Sequence, residues 1–153
     1  MKINVKIITS ENNLKIAFAI RKNVFVEEQK VSEDIERDKF EYEANHALAF
    51  VGDKPVGTAR WRQTQKGVKL ERFAVLPEFR SCGVGKKLVH FILKELMNSE
   101  TIYLHAQEHV VKFYEYFGFV KKGSKFFEAD IPHWLMELKS ANCIFFLYYI
   151  HLN

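Results

Sequence analysis

The chain has 153 residues, 48% of them hydrophobic and 27% charged, one domain's worth of ordinary globular composition that excludes a disordered tail, a collagen and a coiled coil. Its net charge of +4 permits a nucleic-acid partner, but that number is the remainder of opposed blocks: residues 27–43 carry a local −5 and residues 60–90 a local +6. Two cysteines, Cys82 and Cys143, far apart and without CxxC or Cys/His spacing, suggest neither a disulfide scaffold nor a zinc site and make a reducing, cytoplasmic compartment the default.

At the amino end Ile3, Val5 and Ile7 alternate with Lys2, Asn4 and Lys6, the period of a half-buried strand, and nothing there resembles a signal peptide's apolar core. Ser10 is placed to cap a helix that turns Leu14, Ala17, Phe18, Val24 and Phe25 toward the core and ends in the acidic stretch after Glu28. A strand from His46 to Val51, the turn Gly52-Asp53-Lys54-Pro55 and a strand from Val56 to Gln63 read as a hairpin. Gln65-Lys66-Gly67 then turns the chain into a strand from Val68 to Val75, which completes an antiparallel meander.

After Pro77 the period changes. Val84, Leu88, Ile92 and Leu96 recur at helical spacing and predict a helix from Gly83 to near Asn98. Ile102 to Ala106 reads as a strand, residues 108–117 as a helix ended by Gly118, Phe119 as the opening of another strand, and Trp134 to Leu138 as the last. This order predicts an α/β (α+β) fold in a single domain over residues 1–140, a mixed sheet with helices on both faces and a right-handed crossover through residues 68–106. The tail, residues 141–153, is an apolar extension expected to pack on the domain or at a homodimer interface. Its apolar run from Cys143 to Ile150 is far short of the roughly 20 residues that cross a bilayer, so no membrane partner is expected.

The strand ending at Val75 runs through Leu76-Pro77-Glu78-Phe79 into Arg80-Ser81-Cys82-Gly83-Val84-Gly85-Lys86-Lys87 and then into a helix. That is the layout of a phosphate cradle. Glycines let backbone approach an anion, first-turn amides have no partner within the helix, and the helix dipole and Lys86 add positive charge. A P-loop fails because Arg80 stands where its first glycine belongs and Lys87 where Ser or Thr would bind magnesium; a Rossmann loop fails at Leu88. What remains, Arg80-x-x-Gly83-x-Gly85, resembles the signature of the GNAT superfamily of N-acetyltransferases, whose loop holds the pyrophosphate of coenzyme A.

The order of elements extends the resemblance. Tyr114 precedes Gly118-Phe119 by the family's spacing, and Gln107 stands where many members carry Asn. Residues 21–29, the acidic segment after them, His46, Leu70 to Val75, Ala106-Gln107 and Ile131-Pro132-His133 resemble the ElaA/YjcF-type branch. The resemblance implies acetyl-CoA as acetyl donor, with the backbone of Phe73, Ala74 and Val75 at the pantetheine and thioester. It also implies Arg80, Ser81, Cys82, Gly83, Val84, Gly85 and Lys86 around the pyrophosphate, joined by Gln107 and Tyr114.

Transfer of an acetyl group to a primary amine needs a polarised carbonyl, a neutral amine and a stabilised leaving thiolate. Tyr114 is the candidate general acid. Glu71, on the strand face that period two would share with Phe73 and Val75, is the candidate general base; its alternative is an ion pair with Arg60, Arg62 or Arg72. His46, His105 and His133 are further candidate bases. Cys82 as an acyl-carrying nucleophile is disfavoured by its place in the phosphate loop. For the acceptor the candidates are Arg21, Glu28, Gln29 and His133, with the −5 block attracting a cationic amine. No metal is required. The rival readings are an acyl-CoA sensor without catalysis and a nucleic-acid binder using residues 60–90; the latter lacks a known nucleic-acid motif.

Overall fold

The computed structural model describes residues 1–139. They divide into two compact units, Met1–Arg62 with Glu71–Ile92, and Gln63–Leu70 with the chain from Leu93 onward.

In the first unit, strand β1 (Ile3–Ile8) leads to helix α1 (Glu11–Arg21). Ser10 caps it as its position suggests: its Oγ accepts from Asn13 N–H at 3.3 Å, and Glu11 sits in the first turn, against the positive end of the helix dipole. The single helix expected through Phe25 changes type on the way. From Lys22 to Glu28 the backbone is π-helical, and Gln29 N–H donates five residues back to Val24 O at 3.2 Å. A wider turn re-phases the side chains, so Val24 is buried while Phe25 is half-buried. The acidic stretch forms one short helix, α2 (Glu33–Glu36), followed by turns.

Strands β2 (Asn45–Val51), β3 (Lys54–Gln63) and β4 (Val68–Val75) follow. β1 pairs antiparallel with β2 from Ile3↔Val51 to Ile8↔His46, and β2 with β3 from Asn45↔Trp61 to Val51↔Lys54, so the first hairpin turn is only Gly52-Asp53. Ile8, Ala17, Ile20, Val24, Leu48 and Ala74 close into one core cluster. Helix α3 (Val84–Glu95) buries Val84, Leu88 and Ile92 as their spacing predicts, and adds Val89 and Leu93 beside them. Gly57 admits this helix: a Cβ there would lie 3.0 Å from Val84 Cγ1 and 3.2 Å from Ala74 O. The helix stops short of Asn98 because its end tightens, with Leu96 N–H donating three residues back to Leu93 O at 3.3 Å.

In the second unit, Val68–Leu70 of β4 pair in parallel with Ile102–Leu104 of β5 (Thr101–Gln107). β5 pairs antiparallel with β7 (Ile131–Lys139) from Thr101↔Lys139 to Gln107↔His133, and β6 (Val120–Glu128) pairs antiparallel with β7. The last strand therefore begins before Trp134, with Ile131-Pro132-His133 inside it. The turn between β6 and β7 is Ala129-Asp130, both in the left-handed region at φ 47° and 60°, a type of turn that composition rich in neither Gly nor Asn does not announce. The helix expected over residues 108–117 is a 3-10 turn, Glu108–Val110, followed by α4 (Val111–Glu115). Gly118 ends it at φ 89°: its N–H donates to Glu115 O at 2.9 Å and Phe119 N–H to Tyr114 O at 3.3 Å, the paired closure for which a left-handed glycine is suited.

The seven strands run in the order β1-β2-β3-β4-β5-β7-β6, and β4 passes from one unit to the other. The mixed sheet and the α/β class follow the expectation. Residues 141–153, expected to extend the domain or meet a second copy, lie outside the described residues.

Candidate active site

Between β4 and α3 the chain makes a 3-10 turn, Pro77–Phe79, whose approach is fixed by Leu76 N–H donating to Val56 O at 2.9 Å. Ser81 and Gly83 then take φ 61° and 88°. Left-handed residues among extended ones swing neighbouring amides to one side, the concave arrangement that receives anions. Lys87 N–H donates to Gly83 O at 3.0 Å, so the amides of Val84, Gly85 and Lys86 belong to the first turn, for which the helix's own ladder supplies no acceptor. At Gly83 an added Cβ would meet nothing closer than Ile3 Cδ1 at 3.9 Å, so conformation rather than space calls for glycine. Ser81, Cys82 and Lys86 are exposed, Gly83 and Gly85 half-buried, Val84 buried.

Arg80 faces a residue expected on the acceptor side. Its Nη1 and Nη2 donate to Glu28 Oε1 and Oε2 at 2.7 and 2.5 Å, and its Nε donates to Val75 O at 3.0 Å. The hydrogen bond from Arg80 holds the Glu28 carboxyl below its usual range, and the same bond raises Arg80. Gln29, the next residue, is half-buried.

Glu71 is 8% exposed and meets two arginines: Arg60 Nη2 donates to its Oε2 at 2.5 Å, and Arg62 Nε to both oxygens at 3.2 Å. The face it was expected to share with Phe73 and Val75 by simple alternation is interrupted. Arg72 takes φ 56°, and Leu70 and Glu71 are buried in succession, the local signature of a bulge that re-aims side chains. Phe73 and Val75 are half-buried and Ala74 is buried.

The pair Arg60–Glu71 is part of a larger buried array. Arg60 is fully buried and also donates to Asp38, Nη1 to Oδ1 at 2.7 Å and Nη2 to Oδ2 at 2.8 Å. Arg21, 1% exposed, donates from Nε to Glu36 Oε1 at 2.5 Å, from Nη1 to Glu41 Oε2 at 2.8 Å and from Nη2 to Glu41 Oε1 at 2.7 Å. Arg72 reaches the Glu36 carbonyl at 3.1 Å. Burial works to raise Asp38 and Glu41, but hydrogen bonding and charge from Arg60 and Arg21 prevail and bring each down to about 2. His46, cross-strand partner of Arg60, is pulled down by burial, and its Nε2 lies 2.8 Å from the Glu41 carbonyl.

In the second unit Tyr114 is 7% exposed, with its ring edge-on to Phe119 at 5.9 Å. Burial pushes its phenol above the ordinary value. Gln107 on β5 is directly opposite His133 on β7. His133 Nδ1 lies 2.7 Å from the Ile131 carbonyl, and His105 Nδ1 lies 2.6 Å from Glu128 Oε1.

The structure thus brings together Glu28 with Arg80, Glu71 with Arg60 and Arg62, and Gln107 with His133. The ion pair of Glu71 with Arg60 and Arg62 is the alternative that its sequence context offers, whereas Asp38 stands there only as one member of the acidic block. The two charge blocks of opposite sign meet each other. Among the described residues no group of three or more His, Cys, Asp or Glu is arranged to hold a metal ion, and no helix is long and apolar enough to cross a membrane.

A strand handing its chain through an Arg-x-x-Gly-x-Gly loop into an amphipathic helix, then a strand and a short helix closed by Gly118-Phe119, define an acyltransferase layout. The acetyltransferase (GNAT) domain matches residues 10–140, and the chain belongs to that family. It is 39% identical over 127 residues to YjcF of Bacillus subtilis, named an uncharacterized N-acetyltransferase, a match covering 81% of this chain and 91% of the relative. The crystal structure of Escherichia coli ElaA superposes with a TM-score of 0.82 and 26% identity, over 90% of this chain and 100% of that one. A GNAT family acetyltransferase from Elizabethkingia anophelis, solved with acetyl-CoA bound, shares the fold at a TM-score of 0.70 and 13% identity, over 90% of this chain and 97% of that one.

Proposed function

We propose that the protein transfers the acetyl group of acetyl-CoA to a primary amine by direct attack in a ternary complex. The observation that carries this reading is the loop from Arg80 to Lys86, whose left-handed Ser81 and Gly83 open an amphipathic helix. Backbone amides of Gly83, Val84, Gly85 and Lys86 would receive the pyrophosphate, with Ser81 and Cys82 lining the loop and Arg80 exchanging Glu28 for phosphate oxygens, since both anions suit one guanidinium. The backbone of Phe73, Ala74 and Val75 would hold the pantetheine arm and polarise the thioester carbonyl. Gln107 serves the cofactor as an amide donor and acceptor.

Glu71 takes the amine's proton, through water, and Tyr114 attends the leaving sulfur. A phenol raised by burial stays protonated at neutral pH; against a thiol of pKa about 8.5 it acts chiefly as a hydrogen-bond donor to the developing thiolate. Glu28, Gln29 and His133 meet the amine. Arg21, enclosed by Glu36 and Glu41, contributes by holding the acidic segment in place. The chemistry needs no metal, and it suits a cytoplasmic enzyme with a small-molecule or peptide amine as partner, as a monomer or as a homodimer through the apolar tail.

The test is a panel of primary amines with acetyl-CoA, read by thiol release after subtraction of the protein's own two cysteines. At least one amine should give turnover above the amine-free rate. An acetyl-CoA complex that no amine turns over would favour an acyl-CoA sensor on the same fold.

A further inference from the structure

We propose that Arg60 is the positioning residue of this site, one guanidinium that holds the Glu71 carboxylate and the Asp38 carboxylate at once and so fixes the proposed base and the acidic segment as a single piece. The inference rests on the acyl-transfer reading for what Glu71 does.

Its basis is geometric. Arg60 lies on β3 and is fully buried. Its Nη2 is shared between Asp38 Oδ2 at 2.8 Å and Glu71 Oε2 at 2.5 Å, while Nη1 serves Asp38 Oδ1 at 2.7 Å and approaches Glu41 Oε1 at 3.1 Å. Its Nε, also buried, has no partner among the described residues, so the hold lies wholly in the two terminal nitrogens. Asp38 and Glu41 come from the segment between α2 and β2, and Glu71 comes from β4; Arg60 bonds carboxylates of both, while Arg72 reaches Asp38 Oδ2 at 3.4 Å. Arg62, two residues along β3, is a second hold on Glu71 and none on Asp38.

A planar fork can serve two carboxylates in fixed directions; a lysine at the same position is a point charge with three rotatable donors on a flexible stem and does not fix those directions. The segment is secured further by its neighbours. His46, paired with Arg60 across the strands, has its Nε2 2.8 Å from the Glu41 carbonyl, and Arg21 donates to the Glu41 carboxylate. Arg72, on β4 beside Glu71, ties the segment to that strand through the Ile35 and Glu36 carbonyls and Asp38, whereas Arg60 joins the Glu71 carboxylate itself to Asp38. Loss of the fork should therefore loosen Glu71 and the amine's entrance together while sparing acetyl-CoA.

The direct test uses the whole protein with 13C-labelled glutamate carboxyls and 15N-labelled arginine, Glu71 being assigned by Glu71→Gln. In the wild type the Arg60 Nη signals and the Glu71 carboxyl signal should move through acid titration with one shared midpoint. In Arg60→Lys the Glu71 midpoint should rise by about one pH unit, a tenfold change in its acid constant. With an amine that turns over, Arg60→Lys should lower kcat about tenfold or more and raise the amine KM, with the acetyl-CoA Kd within about twofold of wild type. Arg60 signals that ignore Glu71 in the wild type, or a Glu71 midpoint unmoved in folded Arg60→Lys, would overturn the assignment. If Arg60→Lys does not fold, the wild-type titration decides alone. A shared midpoint in a protein that acetylates no amine would contradict the acetyltransferase reading and leave the Arg60 geometry standing.

Discussion

Tyr114 packs against Phe119, and its carbonyl accepts from Phe119 N–H, so the spacing that marks Tyr114 as a site residue also has a packing cause. The proposed donor role adds a demand that packing does not make, namely the hydroxyl. Tyr114→Phe keeps the ring, so acetyl-CoA affinity should change by less than about threefold, while turnover falls about ten- to a hundredfold. Parallel calorimetric and steady-state measurements check this; unchanged turnover would remove Tyr114 from the chemistry. Residues such as Tyr114 and Gly83 are legible in a sequence because a local backbone event, a helix end or a loop, dictates their spacing. Glu71 is legible as a residue and, through the ion-pair alternative, in its contacts with Arg60 and Arg62, but not in its link through Arg60 to Asp38. The left-handed Arg72 interrupts an alternation that the residue types do not mark, and the burial of Arg60 depends on Asp38, 22 residues before it, as well as on Glu71, 11 residues after it.

Among the elements, α3 was read correctly because one apolar stripe at helical spacing meets one core, and Gly57 gives the helix room. In sequence the π-helical segment from Lys22 to Glu28 is indistinguishable from more of α1, since its re-phasing leaves apolar residues at spacings that an α-helix also tolerates. The start of β7 was placed too late because Ala129-Asp130 make a left-handed turn without glycine. At the end of α4 the requirement is specific. Gly118 at φ 89° with a Cβ position 3.2 Å from Leu138 Cδ1 leaves an alanine strained in conformation and close to a core side chain. Gly118→Ala should lower unfolding stability by about 1 kcal/mol or more, read from urea denaturation at constant m-value; an unchanged midpoint would deny that this closure matters.

For the whole molecule, the two charge blocks of opposite sign are in large part partners of each other. Glu28 meets Arg80, Asp38 meets Arg60, and Glu71 meets Arg60 and Arg62. The array also sets a pH dependence. Asp38 and Glu41 have folded values of about 2, below their unfolded values of about 4, so their stabilisation is present above pH 4 and is lost as pH falls toward 2. His46, lowered by burial, adds an earlier loss as pH falls below its unfolded value of about 6.5. Denaturant melts from pH 7 to 2 should show stability falling throughout, most steeply below pH 4, with a smaller fall in that lower range for Asp38→Asn. A flat profile from pH 5 to 2 would contradict the array.

The claim on which the rest depends is that the loop from Arg80 to Lys86 binds acetyl-CoA, and the most direct measurement of it is a thermal-shift comparison of acetyl-CoA, CoA, ATP and NAD. A ligand that binds only the folded chain at a hundred times its Kd adds about 2.7 kcal/mol, which for a chain of this size raises Tm by roughly 5 °C or more. Acetyl-CoA and CoA should produce that rise, ATP and NAD much less, and Gly83→Val should abolish it. No rise with acetyl-CoA at millimolar concentration, or an equal rise with all four ligands, would contradict the account.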